Sequence, residues 1–177
     1  MRVFDYGFYK VSKEQFLSQN VVTIAEGQTI KTNLTEKDYE NIVLPKRATI
    51  DSAGYDIFSP VSFSLKPNEQ ILIPTGIRAH IPDNTFLMIV PRSGLGFKYR
   101  LQLNNTIGII DKDYVFSDNE GHIMAKIIND SRDGKIVTVD AGKAFAQGII
   151  VPFVYIESYD SNFEMGKRNG GFGSTEK

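Results

Sequence analysis

Short β-patterned segments separated by turn signals fill the stretch from Pro45 to about residue 156, and this feature most constrains the fold. "VSFSL" (61–65) alternates apolar and polar residues, and "QILIPTGIRAHI" (70–81) is rich in β-branched residues, with Pro74 and Gly76 as interruptions. Turn signals such as "KPNE", "SDNEG" and "DAGK" recur at short intervals. This pattern predicts an all-β sandwich, jelly roll or barrel, and it disfavours a Rossmann-type α/β fold.

The chain divides into three zones: residues 1–43, a β-rich part over 44–156, and a polar, glycine-rich part over 157–177. The first zone is predicted to be a small N-terminal extension containing short helices. The last zone is predicted to be a mobile C-terminal arm, because glycine costs a strand backbone entropy and gives it no side chain to pack. The middle zone is the predicted β core.

Two segments of the extension begin with helix-capping residues. Ser12 is followed three positions later by Gln15, and Thr35 is followed three positions later by Asp38. This is the spacing of a capping box, so each segment is predicted to start a short helix. Between them, "VVTIAEGQTIKT" is predicted to form a hairpin around the Glu26-Gly27 dipeptide.

The composition excludes several classes of function. Cysteine is absent, so disulfides and thiolate metal sites are excluded; the two histidines, His80 and His122, are far apart in the sequence and are expected to have surface or structural roles. A net charge of −1 without a Lys/Arg run indicates no direct nucleic-acid binding. The chain has no run of about 18 apolar residues and no apolar region near its N-terminus, so neither a membrane span nor a secretion signal is expected.

Four stretches differ from plain sheet. They are "DSAGYDI" (51–57), "VPRSGLGFK" (90–98), "NNTIGIIDKDY" (104–114) and "GKAFAQGIIVPF" (142–153). The first is typical of a turn before a strand. In the second, glycines would let backbone N–H groups approach an anion, and Arg92 and Ser93 would add donors for phosphate oxygens. A glycine loop with a solvated arginine is the alternative.

The third and fourth stretches place polar groups next to apolar strands. With strand periodicity, Asp111 and Asp113 would share a face, either as a metal ligand or general base or as exposed acids that open a turn. Gln147 is either a hydrogen-bonded core residue or a ligand contact. Carboxylates, hydroxyls, amides and arginines together suit a phosphate-bearing ligand with a hard cation such as Mg²⁺.

A fifth stretch, "KRNGGFGSTEK", places Phe172 alone among glycines near the end of the chain. With it, the order of motifs resembles that of the trimeric dUTPases (dUTP diphosphatases), including members from Gram-positive bacteria and their phages. The match covers about 44–175, and the insertion "DNEGHI" (118–123) is similar to some of those members. The five counterparts are "AGYDI" (53–57), "PRSGLG" (91–96), "NTIGIIDKDY" (105–114), "GKAFAQGIIVPF" (142–153) and "GGFGST" (170–175).

This resemblance implies a jelly-roll subunit, a homotrimer with active sites shared between subunits, and hydrolysis of dUTP to dUMP and pyrophosphate with Mg²⁺. Asp111 would be the general base that activates the water attacking the α-phosphorus, and Asp56 would help to hold the hydrated Mg²⁺. The implied substrate-binding residues are Arg92, Ser93, Gly94, Asn105, Gly108, Ile110, Tyr114, Gln147, Lys167, Arg168, Phe172, Gly173, Ser174 and Thr175.

The resemblance also implies a division of labour among these residues. The Arg92–Gly94 segment would grip phosphates, and Gln147 would face the phosphates and the catalytic water. Asn105 and the backbone of a 105–114 hairpin would read the uracil edge, and Tyr114 would pack on the deoxyribose. A site that hydrogen-bonds uracil would reject cytosine, because its buried polar groups would be left unpaired.

The C-terminal arm would act as a lid over a neighbouring subunit's site. Phe172 would stack on the uracil, while Ser174 and Thr175 would bind the terminal phosphates. The family usually has an arginine three residues before the paired glycines, but here Lys167 holds that position and Arg168 follows it. A lysine lacks the bidentate fork of arginine, so either residue is a candidate for the γ-phosphate.

Two other functions stay open at this point. A dCTP deaminase shares the fold but is disfavoured by the intact "IDKDY" and "GGFGST" motifs. A regulatory protein of a phage or mobile element could use the nucleotide site or residues 1–43 to bind a partner protein. The expected location in either case, as for the enzyme, is the cytoplasm of a bacterium or phage-infected host.

Overall fold

A computed structural model describes residues 5–154 and residue 156. Its helices and strands are β1 (Gly7–Lys10), α1 (Lys13–Leu17), β2 (Asn20–Ala25), β3 (Gln28–Asn33), α2 (Glu36–Glu40), β4 (Lys46–Arg47), β5 (Tyr55–Phe58), β6 (Phe63–Leu65), β7 (Gln70–Pro74), β8 (Ile77–His80), β9 (Thr85–Pro91), α3 (Ser93–Tyr99), β10 (Leu101–Leu103), β11 (Gly108–Asp111), a 3-10 helix (Lys112–Phe116), β12 (Met124–Asn129), β13 (Val137–Val139) and β14 (Ala144–Pro152).

The strands form two five-stranded sheets and two smaller pairs. One large sheet has the order β10-β12-β7-β2-β3, the other has the order β11-β9-β14-β5-β4, and the pairs are β1-β8 and β13-β6. Every strand pair among the described residues is antiparallel. The prediction of an all-β, jelly-roll-like fold with short helices in its N-terminal part is confirmed.

Sequence patterning explains the strands and their interruptions. In β6, Phe63 and Leu65 are buried while Ser64 between them is exposed. The predicted break at Pro74 and Gly76 separates β7 from β8, which join different sheets. Gly76 has a φ of +74°, a conformation that glycine adopts without steric cost. The chain therefore changes sheets at the point where the sequence supplies a proline and a glycine.

A single apolar cluster joins the sheets to the helices. Aliphatic residues from β5, β7, β8, β9 and β12 meet Phe145 of β14 and Phe16 of α1 in this core. The largest fully buried side chains are Phe16, Phe145, Ile57, Leu65, Ile73, Ile77, Leu87, Leu101, Ile123, Ile127, His122 and Val11. No helix among the described residues is long and apolar enough to cross a membrane.

The local predictions for the N-terminal segment are largely confirmed. β2 and β3 form the predicted hairpin, and both loop residues, Glu26 and Gly27, have positive φ. In α2 the capping box is complete, because Thr35 and Asp38 each accept a hydrogen bond from the other's backbone N–H.

In α1, only one of the two hydrogen bonds of the predicted Ser12–Gln15 capping box forms. The Ser12 hydroxyl accepts from the Gln15 backbone N–H as expected, at 3.1 Å. The Ser12 backbone N–H, however, donates to a carboxylate oxygen of Glu120 at 2.8 Å. A residue 108 positions away thus supplies the acceptor that sequence spacing had assigned to Gln15.

Strands of the 1–43 segment are hydrogen-bonded to strands of the 44–156 part. β1 pairs with β8 along its whole length, and β2 pairs with β7 from Val22 to Ile24. Phe16 is fully buried and packs against the rings of Tyr39 and His122. The boundary at residue 43 stays a prediction, but removing everything before it would take away three strands and part of the core.

Candidate active site

Three of the predicted site residues form a cluster where β5 and β14 meet the end of β9. A carboxylate oxygen of Asp56 lies 3.0 Å from Nε of Arg92. The Gln147 side-chain amide donates to the Pro91 carbonyl oxygen at 3.2 Å. These residues lie in three separate motifs of the sequence, and the fold brings them together.

Strand register explains this convergence. Gln147 of β14 is paired with Asp56 of β5 on one side and with Val90 of β9 on the other. Directly paired residues of antiparallel strands project from the same face of a sheet, so these three side chains share one face. Leu87 and Ile89 of β9 are buried on the opposite, core-facing side. The cluster therefore lies on the outer face of this sheet.

The segment after Arg92 is a short helix, so the alternative of a glycine loop at this position is wrong. Ser93 and Gly94 form the first turn of α3, and Arg92 is its N-cap residue. The first backbone N–H groups of a helix have no partner within the helix. Arg92, Ser93 and Gly94 also line a groove of 470 Å³ together with Lys143 and Asp140. This end of the sheet thus offers cations and donors suited to an anion.

Asp111 lies at the other end of β9. It is the last residue of β11, and β11 places it opposite Phe86. It lines a cavity of 570 Å³ with Asp113 and Lys112. The prediction that Asp111 and Asp113 share a strand face is wrong, because the strand ends at Asp111 and the chain continues as a 3-10 helix. Both carboxylates nevertheless reach the same cavity.

The uracil-reading segment also differs from its prediction. Residues 105–114 do not form a hairpin of their own: β11 pairs with β9, and the preceding turn is closed by a bridge between Leu103 and Thr106. Asn105 lies exposed in this turn. Gly108 and Ile110 are paired with the core residues Ile89 and Leu87, so they offer a ligand their backbone rather than a side chain.

The ring of Tyr114 is almost entirely inside the protein. The residue is 5% exposed, and its hydroxyl donates to the His122 carbonyl oxygen at 2.9 Å. Its role in packing on a sugar stays a prediction, and only the small exposed part of the residue is available for it in the single chain. Tyr114 also connects the Asp111 end of β9 to the 118–123 insertion.

His122 has the structural role expected for it. It is fully buried, and its Nε2 accepts a hydrogen bond from the Gly76 backbone N–H at 2.9 Å. Burial lowers the pKa of His122 to about 4, against a weak opposing effect of the Glu120 charge. The imidazole is therefore neutral at physiological pH and acts as an acceptor that fixes the turn between β7 and β8.

The two groups of site residues are far apart within one chain. Asp111 is opposite Phe86, whereas Gln147 is opposite Val90, four residues further along β9. At a rise of about 3.3 Å per residue, this is a separation of roughly 13 Å along the sheet. Phe86 and Val90 have the same parity, so both groups lie on the same outer face.

The six predicted residues of the C-terminal arm lie outside the described residues. These are Lys167, Arg168, Phe172, Gly173, Ser174 and Thr175.

Sequence reasoning missed two contributors that the fold brings to these ends. Lys143 lines the groove beside Arg92. The sequence could have indicated it, because it is the lysine of the fourth motif. Asp83 pairs with Lys112 at the cavity that holds Asp111. No sequence pattern connects these last two residues, because the pairing depends on β9 and β11 being neighbours.

No group of three or more histidine or acidic residues that could hold a metal ion occurs within the described part of the chain. Asp56 is the carboxylate next to the anion-binding groups, and 22% of its side chain is exposed. Mg²⁺ is usually held by one or two carboxylates together with waters and substrate phosphates rather than by an all-protein cage. The residues present fit that mode of binding.

The structure defines an antiparallel jelly-roll protein that carries an Arg–Asp–Gln cluster and a separate carboxylate end on one sheet face. The family model for dUTPase matches residues 40–176. The deoxyuridine 5'-triphosphate nucleotidohydrolase of Lactococcus lactis is 41% identical over 140 residues, covering 77% of this chain and 91% of that protein. The chain belongs to the dUTPase family.

Solved structures agree with this assignment. The crystal structure of the dUTPase from Streptococcus mutans matches with a TM-score of 0.62 and 30% identity, covering 86% of this chain and 99% of that one. A mutant dUTPase from phage phi11 of S. aureus, described with a structural Mg(II) ion, matches with a TM-score of 0.57 and 25% identity. The match covers 70% of this chain and 92% of that one.

Proposed function

We propose that the protein hydrolyses dUTP to dUMP and pyrophosphate. The observation that carries this proposal is the cluster of Arg92, Asp56 and Gln147 on the same sheet face as Asp111, in a chain of the dUTPase family. A nucleoside triphosphate carries about four negative charges at neutral pH, so its hydrolysis depends on cations and oriented donors. The Arg92 end of β9 supplies those groups.

The phosphates would bind at the Arg92 end. The guanidinium would bind phosphate oxygens, and Ser93 and Gly94 would add hydroxyl and backbone donors from the start of α3. Asp56 would hold a hydrated Mg²⁺, which would neutralise phosphate charge and orient the chain of phosphates for in-line attack. Because Asp56 is paired with Arg92, binding of substrate and Mg²⁺ would replace that ion pair with two new contacts.

Asp111 would act as the general base. Its carboxylate would accept a proton from a water molecule as the water oxygen bonds to the α-phosphorus. The bond from the α-phosphorus to the bridging oxygen of the β-phosphate would break, and pyrophosphate would leave with that oxygen. Gln147 would orient the phosphates and the attacking water.

Base and sugar would be recognised near the Asp111 end. Asn105 and the backbone of Gly108 and Ile110 would bind the uracil edge, and Tyr114 would limit the space at the sugar. In the C-terminal arm, Phe172 would stack on the base, while Lys167 or Arg168 and residues 173–175 would bind the phosphates.

A homotrimer with shared sites would join the two ends of β9. The separation of roughly 13 Å leaves Asp111 too far from Gln147 for both to contact one water in a single chain. The outer sheet face between them is apolar: Met88 and Ile149 are half-buried, and Ile109 is 50% exposed. An apolar face between two polar groups suits contact with another copy of the chain. Asp111 of one subunit would then act on substrate held by Arg92 of the next.

Substrate profiling tests the proposed function. The protein is incubated with dUTP, dCTP, dTTP or UTP in the presence of Mg²⁺, and pyrophosphate and ammonia are assayed. We expect pyrophosphate from dUTP alone. Ammonia release from dCTP would instead support the deaminase, and no turnover of any of the four would contradict the proposal.

A regulatory role with a partner protein remains a prediction. Residues 7–10 and 20–25 are paired with core strands, so removing the first 43 residues would disrupt the fold as well as any partner surface. Partner capture is therefore better compared between the intact wild type and intact active-site variants, with and without a dUTP analogue.

A further inference from the structure

Gly54 lies directly against the side chain of Gln147. An ideal Cβ placed on Gly54 would lie 2.3 Å from Oε1 of Gln147 and 3.2 Å from its Cδ. The third-nearest atom, at 3.5 Å, is the Cβ of the same glutamine. The three atoms nearest to a side chain at position 54 thus all belong to one residue, the glutamine of the Arg92 cluster.

The backbone at this position does not itself require glycine. Gly54 is not among the residues with positive φ, so an L-amino acid could adopt its conformation. Gly76 and Gly121, in contrast, have φ of +74° and +71°. The reason for glycine at position 54 is therefore steric.

The carboxamide of Gln147 is held from two sides. Its amide nitrogen donates to the Pro91 carbonyl oxygen, next to Arg92, while its oxygen rests over the bare Cα of Gly54. Loss of this hydrogen bond, or a side chain added at position 54, would displace the carboxamide. A catalytic group displaced by about 1 Å can cost up to about 10²-fold in rate, because reacting atoms must stay aligned.

We propose that Gly54 is a positioning residue for Gln147. The missing side chain at position 54 leaves the room in which the Gln147 carboxamide stays aimed at the Arg92 end of β9. This inference rests on the proposed function, since it concerns the hydrolysis of dUTP. Gly54 would act on the reaction through Gln147.

The consequence of a side chain at position 54 should be local. The atoms in its way are the far end of a flexible side chain, so the carboxamide moves and the backbone need not. When Gln147 is alanine, the two closest of these atoms are gone, and the 3.5 Å contact with Cβ is an ordinary van der Waals distance. The clash at position 54 should then disappear.

A double-mutant cycle tests the proposal. We compare wild type, Gly54→Ala, Gln147→Ala and the double variant by kcat, KM for dUTP and thermal unfolding. Gly54→Ala should lower kcat about tenfold with little change in KM. The double variant should be no slower than Gln147→Ala. The matched control is Gly7→Ala in β1, where the three atoms nearest to a Cβ belong to Tyr9 and lie at 3.7 Å or more.

The outcomes separate the two hypotheses. If wild type does not hydrolyse dUTP, the proposed function fails. If wild type is active and Gly54→Ala is equally fast, or if the two losses multiply in the double variant, the positioning role is overturned. If Gly54→Ala does not fold, the double variant decides: recovery of folding supports the clash with Gln147, and failure to fold contradicts it.

Discussion

At the Val90 end of β9, Arg92 and Asp56 form an ion pair beside Gln147, whereas at the Phe86 end Asp111 and Asp113 line a cavity together with the Lys112–Asp83 ion pair. Arg92 is paired with Asp56 and Gln147 is bonded to Pro91, so the first group is assembled within one chain by the register of β5, β14 and β9. Asp111 depends instead on β11 and on the 3-10 helix behind it. The difference is that the register of three strands brings the first group together, whereas Asp111 is positioned by the end of one strand and the helix that follows it.

The Asp111 end of β9 is hydrogen-bonded to the 118–123 insertion that follows it in the sequence. The Tyr114 hydroxyl donates to the His122 carbonyl, and the Arg78 guanidinium donates to the Val115 carbonyl at 2.8 Å. Glu120 from the same insertion also accepts two hydrogen bonds from Ser12. The N-terminal segment is therefore coupled to the Asp111 end of β9.

Asp111→Asn should have the largest effect on activity. The amide cannot accept a proton from water, so kcat should fall about 10³-fold while the fold is retained. The matched control is Asp113→Asn, which alters a carboxylate in the same cavity and should change kcat far less. Full turnover by Asp111→Asn would contradict its assignment as the base.

Arg92→Ala should have the second-largest effect on activity. We expect kcat/KM to fall about 10²-fold, because a charged donor to phosphate is removed. Arg92→Lys restores the charge but not the planar fork, so it should recover only part of the loss. Steady-state kinetics with dUTP check both variants. Equal activity of Arg92→Lys and wild type would show that the fork is not used.

Asp56→Asn should lower activity mainly by weakening the binding of Mg²⁺. Outer-sphere partners of a metal typically contribute about 10- to 100-fold to its affinity, so the Mg²⁺ concentration for half-maximal activity should rise about tenfold. A Mg²⁺ titration of activity measures this. An unchanged titration midpoint with a reduced kcat would indicate that Asp56 serves only to hold Arg92.

Acid should destabilise the protein through His122, which supports the Asp111 end. Its pKa is about 4 in the folded protein and 6.5 in the unfolded chain, so the unfolded state binds the extra proton first and stability falls as pH drops below 6.5. The expected loss is about 2 kcal/mol between about pH 7 and pH 5. Urea unfolding at fixed protein concentration checks this.

The control for the pH experiment is the other histidine. His122→Gln should remove most of the pH dependence above pH 5, whereas His80→Gln should preserve it. The carboxylate of Glu120 has a lowered pKa: burial acts to raise it, but the hydrogen bonds from Ser12 and the charge of Arg78 outweigh burial. Its contribution is present above its ordinary pKa of 4.5 and is lost only at more acidic pH.

The sequence predicted the elements of the fold well, because their signals are local. Alternation identified β6, Pro74 and Gly76 marked the break after β7, and the capping residues located both N-terminal helices. The predictions that were wrong depended on contacts between residues that are distant in the sequence. Glu120 takes the place predicted for Gln15, and β11 joins β9 instead of closing a hairpin. α3 was missed because its glycines resemble a loop.

The candidate site shows the same limit. Family motifs identified Asp56, Arg92, Gln147 and Asp111, but no spacing in the sequence indicates that the first three meet while Asp111 lies roughly 13 Å away. That separation follows from the order and register of β11, β9, β14 and β5, which are fixed by tertiary pairing. Gly54 likewise gains a role only once Gln147 is placed over it.

The most direct test of shared sites mixes two inactive variants. Arg92→Ala retains Asp111, and Asp111→Asn retains the Arg92 cluster, so a site formed between one subunit of each kind can contain both intact ends. After the two purified chains are unfolded and refolded together in equal amounts, random pairing should restore about one quarter of wild-type activity. Each variant refolded alone should stay inactive. No recovery in mixtures shown to contain both chains in one oligomer would contradict the assignment of the two ends of β9 to different subunits.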